Sequence, residues 1–324
     1  MRYYLRLMRY PNLIIVALTQ YAMRWGVIDP MLKAASVNLP STEFHLQLSP
    51  LTFFFLVLST ICLTAAGYVI NDYFDTHTDF LNRPRKVLVG TRIPRRQTMI
   101  LHIVLDIIGV GLGFYVSFQI GIPLLGFIFL IVAGLLWFYS TLYKRQFLIG
   151  NLLVAFMTAL VPLMVILFEL PELNRVYGDI LIKHNTDLMH VFYWIAGFAL
   201  FAFLTNFIRE VVKDMEDFEG DMAYGRNSLP VVLGMKTSKI VVNVLIVITL
   251  FLIFFVYFRY LADNITFFYF FLFLLLPFLY LIFKIMKADK KTDYRLIGNV
   301  LKIIMLGGVV YAFVARYIIQ TQLL

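Results

Sequence analysis

Asn71, Asp72, Asp75 and Asp79 form one short acidic window, and Asp214, Glu216, Asp217, Glu219 and Asp221 form a second. Together they hold eight of the nineteen acidic residues in the 324-residue chain. Asn71, Asp75 and Asp79 stand at i, i+4 and i+8, and Asp217 and Asp221 at i and i+4, so a helix through either window lines its oxygen donors along one face. Magnesium wants oxygen ligands; it takes one or two carboxylates, keeps several waters and completes its shell with substrate phosphates. The windows therefore point to a divalent-metal site, Mg2+, for a phosphorylated substrate. Its candidate ligands are Asn71, Asp72, Asp75, Asp79, Asp214, Asp217 and Asp221, and Asp75 and Asp217 are the two on which catalysis is expected to depend.

Cations stand beside these acids. Arg83, Arg85 and Lys86 follow the first window, Lys144 and Arg145 sit at another span edge, and Arg209 and Lys213 precede Asp217 at four-residue spacing. Arginine forks and lysine point charges suit a diphosphate, so Arg83, Lys86, Lys144 and Arg145 are its candidate partners. Arg209 and Lys213 stack two cations beside the second ladder and offer a place to an anionic acceptor. A lone charged loop is ordinarily a solvated face or a topology signal. Here ladder spacing, same-side placement and adjacent cations coincide.

The elements that must carry these windows are membrane helices. The chain is 61% hydrophobic and 17% aromatic, with a mean hydropathy of +0.84, too apolar for a soluble domain of this length. About nine apolar runs are long enough to cross a bilayer, near residues 11–32, 51–70, 98–118, 121–142, 148–170, 189–210, 238–259, 265–286 and 297–319. Their length and uniformity favour helices over the alternating strands of a membrane barrel. The expected fold is an all-α integral membrane domain spanning residues 1–324. The first run follows Arg2, Arg6 and Arg9 and is read as a retained helix, since no small-residue cleavage site follows it. Residues 33–50, with Pro40 and Pro50, and residues 171–188 read as external loops.

Lysine and arginine concentrate in alternate loops, which places the N-terminus inside, the C-terminus outside and both acidic windows on the cytoplasmic side of a multi-pass protein in the cell (inner) membrane. The net charge of +9 fits anionic lipid and diphosphate better than nucleic acid, for which no binding motif is present. The single cysteine, Cys62, lies in an apolar run and excludes an internal disulfide. His77 is the one histidine inside a window and reads as a loop residue. A transporter would keep its acids in mid-span; these lie at a span edge, and Arg24 is the exception within the first run.

Asn71-Asp72 with Asp75 and Asp79 resembles the NDxxDxxxD signature of the UbiA superfamily of intramembrane prenyltransferases. Asp217 and Asp221, followed by Gly225 and Ser228-Leu229-Pro230, resemble its second DxxxD signature. Arg9-Tyr10-Pro11-Asn12 is similar to the start of the family's first helix, and Lys144-Arg145 with Gly150-Asn151 to its central segment. The resemblance implies a UbiA-type helical bundle and magnesium-assisted transfer of a prenyl group from a prenyl diphosphate to a lipid or aromatic acceptor, with the cavity opening toward lipid. The stretch from Arg209-Glu210 through Lys213-Asp214 to Gly220-Asp221, together with Asn82-Arg83-Pro84, is similar to the branch that prenylates a glycerol-phosphate ether lipid with a geranylgeranyl-type group. The branch of quinone biosynthesis, with aromatic acceptors, usually has tyrosine where Lys213 stands; it is the alternative. Cation-π stabilisation of an allylic cation is a candidate role for Tyr139, against plain packing.

Overall fold

The computed structural model describes residues 1–39, 42–82, 84 and 87–322. The expected diphosphate ligands Arg83 and Lys86, with Arg85, Pro40 and Ser41, lie outside the described residues. Among the described residues the chain is helical with one isolated bridge, Val89 to Ile93. The helices are α1 (Arg2–Leu7), α2 (Tyr10–Tyr21), α3 (Asp29–Asn38), α4 (Pro50–Phe74), α5 (Thr76–Asn82), α6 (Arg95–Gln119), α7 (Gly126–Thr141) and α8 (Ile149–Lys183). They continue with α9 (Met189–Glu216), α10 (Phe218–Ala223), α11 (Leu229–Val256), α12 (Asn264–Phe270), α13 (Leu276–Lys287) and α14 (Lys291–Gln322).

Eight helical stretches among the described residues are long and apolar enough to cross a membrane: 50–74, 95–119, 123–141, 149–183, 189–216, 229–261, 264–287 and 291–321. They match the last eight expected spans. The first expected span, 11–32, falls in helix that changes character along its length: α2 passes through a π-helical segment, Ala22–Ile28, into α3. This helix carries Arg24, which is 4% exposed, and the carbonyl of Trp25 in the π segment accepts from Arg316 at 2.8 Å. The expectation of an external loop over 171–188 is corrected, since α8 continues to Lys183. Two of its acids find partners there: the Oε1 of buried Glu169 accepts from the backbone N–H of Gln47 (2.5 Å) and Leu48 (3.0 Å), and Glu172 pairs with Arg175 at 2.5 Å. Likewise the start of the expected 33–50 loop is helical to Asn38.

The chain divides into two compact units. The first comprises residues 1–20, 46–145 and 164–188. Its centre is α4, the most buried of the eight stretches, begun by Ser49, whose hydroxyl accepts from the Thr52 N–H at 3.0 Å. Helices α6 and α7 pack on α4. A Cβ on Gly109 of α6 would come within 2.8 Å of the Leu63 side chain and 3.2 Å of its backbone nitrogen, so glycine eases the close approach of α6 to α4. The second unit comprises residues 21–45, 146–163 and 189–324. Helices α9, α11, α13 and α14 bury Ile208, Val211, Val242, Phe278, Ile297 and Leu301 in its core. Asp263 caps α12 by accepting from the Thr266 N–H at 2.8 Å.

Candidate active site

Each unit carries one acidic window at a helix end. In the first, Asn71 and Asp72 occupy the last turn of α4, Asp75 is its C-cap and Asp79 lies in α5. The backbone bonds Asp75 N–H to Asn71 O (2.9 Å) and Asp79 N–H to Asp75 O (2.8 Å) carry the i to i+4 register across the break. Thr76 takes up carbonyls that the helix end leaves over, donating to Tyr73 O at 3.0 Å and to Asp72 O at 3.2 Å.

Lys144, from the short 3-10 turn after α7, closes on this ladder. Its ammonium bonds the Asp75 carboxylate and stands 3.4 Å from Asn71 Oδ1, with side chains only 6% and 11% exposed for Lys144 and Asp75. Arg145, next in sequence, is exposed and forms no ion pair with the described acids. Arg9 supplies a second cation. Its guanidinium lies 2.7 Å from Asp72 Oδ1 and 4.8 Å from the centre of the Tyr68 ring. Arg9 holds a left-handed φ of 53° between α1 and α2, a conformation that costs a residue with a Cβ free energy.

In the second unit, Asp214 lies in the last turns of α9, Asp217 stands at the N-cap position of α10 without a side-chain capping bond, and Asp221 lies within α10. Here too the ladder bonds persist, Asp217 N–H to Lys213 O (2.9 Å) and Asp221 N–H to Asp217 O (3.0 Å). Helix α10 ends in a Schellman turn: Gly225, with φ +65°, donates to Met222 O at 3.4 Å and the Arg226 N–H donates to Asp221 O at 2.9 Å. That turn brings the Arg226 guanidinium back to 3.4 Å from Asp221 Oδ1. Asp221 is 3% exposed, and burial pushes its carboxyl above the usual range against the opposing pull of Arg226. Asn151 donates to Asp214 Oδ2 at 2.7 Å, and Arg295 holds Glu216 at 3.2 Å.

The two cations expected to meet an acceptor share a carboxylate. Buried Glu210 accepts from Arg209 at 2.5 Å and from Lys213 at 3.3 Å. The Arg209 Nε is fixed further by Asn206 Oδ1 at 3.1 Å, and Asn206 in turn donates to Thr158 at 2.9 Å. These three side chains therefore sum to +1, not the +2 that the spacing of Arg209 and Lys213 alone suggests.

Among the described residues no three His, Cys, Asp or Glu side chains are grouped closely enough to hold a metal by themselves. Magnesium does not require such a cage, because substrate phosphates and water fill most of its shell. The donor set fits it chemically: every candidate ligand is a carboxylate or amide oxygen. Arg9, Asn151, Glu210 and Arg226 were not among the residues expected at the site. Arg9 and Arg226 carry the same sequence signal as any membrane-edge cation, and Glu210 is masked by the bases around it.

A profile of the UbiA prenyltransferase family matches residues 42–306. The chain belongs to that family. As a UbiA protein with eight helical stretches among the described residues long and apolar enough to cross a membrane, it is a multi-pass membrane protein. It is 33% identical over 186 residues to the digeranylgeranylglyceryl phosphate synthase of Methanothermobacter thermautotrophicus, a match covering 56% of this chain and 57% of that one. The alignment thus spans a little over half the length of such curated relatives. A solved digeranylgeranylglyceryl phosphate synthase superposes with a TM-score of 0.60 at 24% identity, over 96% of this chain and 98% of the other. A UbiA homologue from Archaeoglobus fulgidus bound to DMAPP and Mg2+ gives 0.59 at 16% identity, over 97% and 99%. At these identities the likeness establishes the fold, in agreement with the all-α UbiA bundle expected from the two signatures.

Proposed function

We propose that this protein is a magnesium-dependent prenyltransferase that moves a geranylgeranyl-type group from its diphosphate to a glycerol-phosphate ether lipid. The observation that carries the reading is the cation seated on each acid signature, Lys144 on Asn71 and Asp75 and Arg226 on Asp221. Similarity to digeranylgeranylglyceryl phosphate synthases supports the acceptor class. The DMAPP and Mg2+ bound to the Archaeoglobus fulgidus homologue support the donor and the metal.

Asn71, Asp72, Asp75, Asp79, Asp214, Asp217 and Asp221 are the residues we assign to the metal, with Asp75 and Asp217 indispensable. When bound, magnesium supplies Lewis-acid neutralisation of the diphosphate oxygens. Lys144, Arg9 and Arg226 donate to the departing diphosphate as the bond from oxygen to the allylic carbon breaks; Arg83, Lys86 and Arg145 are assigned to the same anion on sequence grounds. Tyr139, half-buried on α7, is assigned to steady the developing carbocation, for about 0.5–2 kcal/mol. The acceptor hydroxyl then bonds that carbon and releases its proton, while Arg209 and Lys213 hold the acceptor phosphate.

The whole chain, 1–324, acts in this reading as one domain of the cell membrane, N-terminus inside and C-terminus outside, with both windows facing the cytoplasm. The distribution of lysine and arginine between the spans supports that orientation. The test is mass spectrometry of the lipid formed by purified protein from geranylgeranyl diphosphate, an acceptor panel and magnesium. A prenylated glycerol-phosphate lipid is expected. Prenylation of hydroxybenzoate or a naphthoate alone would replace the acceptor with an aromatic one, and the absence of product from every acceptor would overturn prenyl transfer.

A further inference from the structure

The first unit places a buried histidine beside a partly buried aspartate that the proposed chemistry does not use. His102 and Asp106, one turn apart on α6, meet through Nε2 and Oδ2 at 3.2 Å, with side chains 3% and 22% exposed. The other oxygen, Asp106 Oδ1, is buried with no hydrogen-bond partner among the described residues. The imidazole stacks on the Trp137 indole of α7, centroids 5.6 Å apart and planes 22° from parallel. Trp137 meets Phe74 of α4 edge-on at 5.8 Å and 89°. Phe74 immediately precedes Asp75, and Trp137 lies seven residues before Lys144. One continuous set of contacts thus runs from Asp106 through His102, Trp137 and Phe74 to the residues beside the Lys144 and Asp75 pair.

An aliphatic residue would fill the position of His102 without desolvating a charge, and a membrane interior makes that penalty heavier. What the pair adds is direction. A ring seated 3.2 Å from a carboxylate oxygen and stacked on an indole is narrowed in the planes it can take, and a stacked partner follows that plane because aromatic contacts are geometrically selective.

We propose that His102 and Asp106 are positioning residues which, through Trp137, hold Lys144 in register with Asn71 and Asp75. The consequence for turnover rests on the assignment of Lys144 to the diphosphate; the positioning itself does not.

The experiment uses full-length protein in nanodiscs with Trp25→Phe and Trp194→Phe, which leaves Trp137 as the sole indole. Three readings are taken: Trp137 emission, the acylation rate of Lys144 by an amine reagent followed by mass spectrometry, and KM and kcat for prenyl diphosphate. Asp106→Leu is expected to shift the emission, to raise Lys144 acylation severalfold and to raise donor KM by about two- to thirtyfold with acceptor KM unchanged. Asp106→Asn, which keeps an oxygen of the same size beside the imidazole, is expected to restore all three. The double variant His102→Phe/Asp106→Leu keeps an apolar, stacked core should the single one misfold, and is expected to expose Lys144 likewise. Wild-type Lys144 acylation in a folded variant whose Trp137 emission has moved overturns the proposal. Raised acylation with no prenyl transfer by any form would support the positioning and refute the assigned activity.

Discussion

Gly225→Ala separates the backbone device at the second window from general stability. Nothing lies within 4 Å of a Cβ built on Gly225, so the substitution introduces no clash and acts only through its φ of +65°. Left-handed backbone costs a residue with a Cβ about 1–2 kcal/mol, and the stiffer unfolded chain offsets about 0.4–1 of that. The remaining strain, about 1 kcal/mol, rivals the two backbone hydrogen bonds that close the turn, worth about 0.5–1.5 kcal/mol each. The turn therefore opens part of the time and carries Arg226 away from Asp221. Loss of a charge-assisted bond to the diphosphate, about 1.5–3 kcal/mol when complete, bounds the fall in donor kcat/KM at roughly one to two decades. Gly121, between α6 and α7, has a φ of +73° and equally open surroundings, so Gly121→Ala carries the same strain away from the windows. The assay compares thermal midpoint and donor kcat/KM for Gly225→Ala, Gly225→Asn, Gly121→Ala and Arg226→Ala. Both alanine variants at glycine should lose about 1–2 °C, while only Gly225→Ala and Arg226→Ala lose donor kcat/KM and Gly225→Asn keeps most of it. Equal kinetic effects at Gly225 and Gly121, or an Arg226→Ala variant with normal kinetics, would refute the reasoning.

Asp75→Ala and Asp217→Ala should each abolish prenyl transfer at saturating magnesium while the protein stays folded in membranes, checked by turnover and size-exclusion profile. Lys144→Met strands a largely buried carboxylate, so both stability, by about 3 kcal/mol, and donor affinity should fall, seen as a lower thermal midpoint and a raised donor KM. Chelation of magnesium should stop turnover and lower the thermal midpoint measured with donor diphosphate present, because binding to the folded state stabilises it by mass action; an unchanged midpoint would count against a shared metal and donor site. Lys213→Tyr should lower kcat/KM for a glycerol-phosphate lipid more than it weakens donor binding, measured with each substrate varied in turn.

The acid ladders were legible because helical periodicity is local: spacing alone puts Asn71, Asp75 and Asp79 in one register, and backbone bonds carry that register through the break at Asp75. Span positions were legible for the same reason. The far end of α8 was not, since hydropathy falls at Glu169 and Glu172, and their compensation comes from Gln47, Leu48 and Arg175, the first two over a hundred residues away in sequence. The π-helical segment Ala22–Ile28 within the first helix was not legible because such a segment has no compositional signature. Arg9 and Arg226 were visible as charges and invisible as partners: the left-handed turn at Arg9 and the Schellman turn at Gly225 decide which acid each one meets, and neither contact follows from periodicity.

Glu210 changes the physics of the two cations proposed to hold the acceptor. Two unpaired cations one turn apart repel each other and pay heavily for burial. With Glu210 between them, Arg209 and Lys213 are held 2.5 Å and 3.3 Å from a common carboxylate, and Asn206 fixes the guanidinium plane at 3.1 Å. With the three side chains summing to +1, the proposed selectivity for a phosphate rests on directed N–H groups, since one net charge near a membrane edge is strongly screened. This limits what Lys213→Tyr can do: Arg209 keeps its position through Asn206 and Glu210, and the substitution removes one donor from an otherwise intact site. Losing one charge-assisted bond of about 1.5–3 kcal/mol corresponds to roughly one to two decades in acceptor kcat/KM. Glu210→Gln should act in the opposite sense on charge and the same sense on order, raising the local charge while loosening both cations. A tighter acceptor KM in Glu210→Gln would mean that charge governs this site; a weaker one would mean that orientation does, and the geometry around Asn206 and Glu210 argues for orientation.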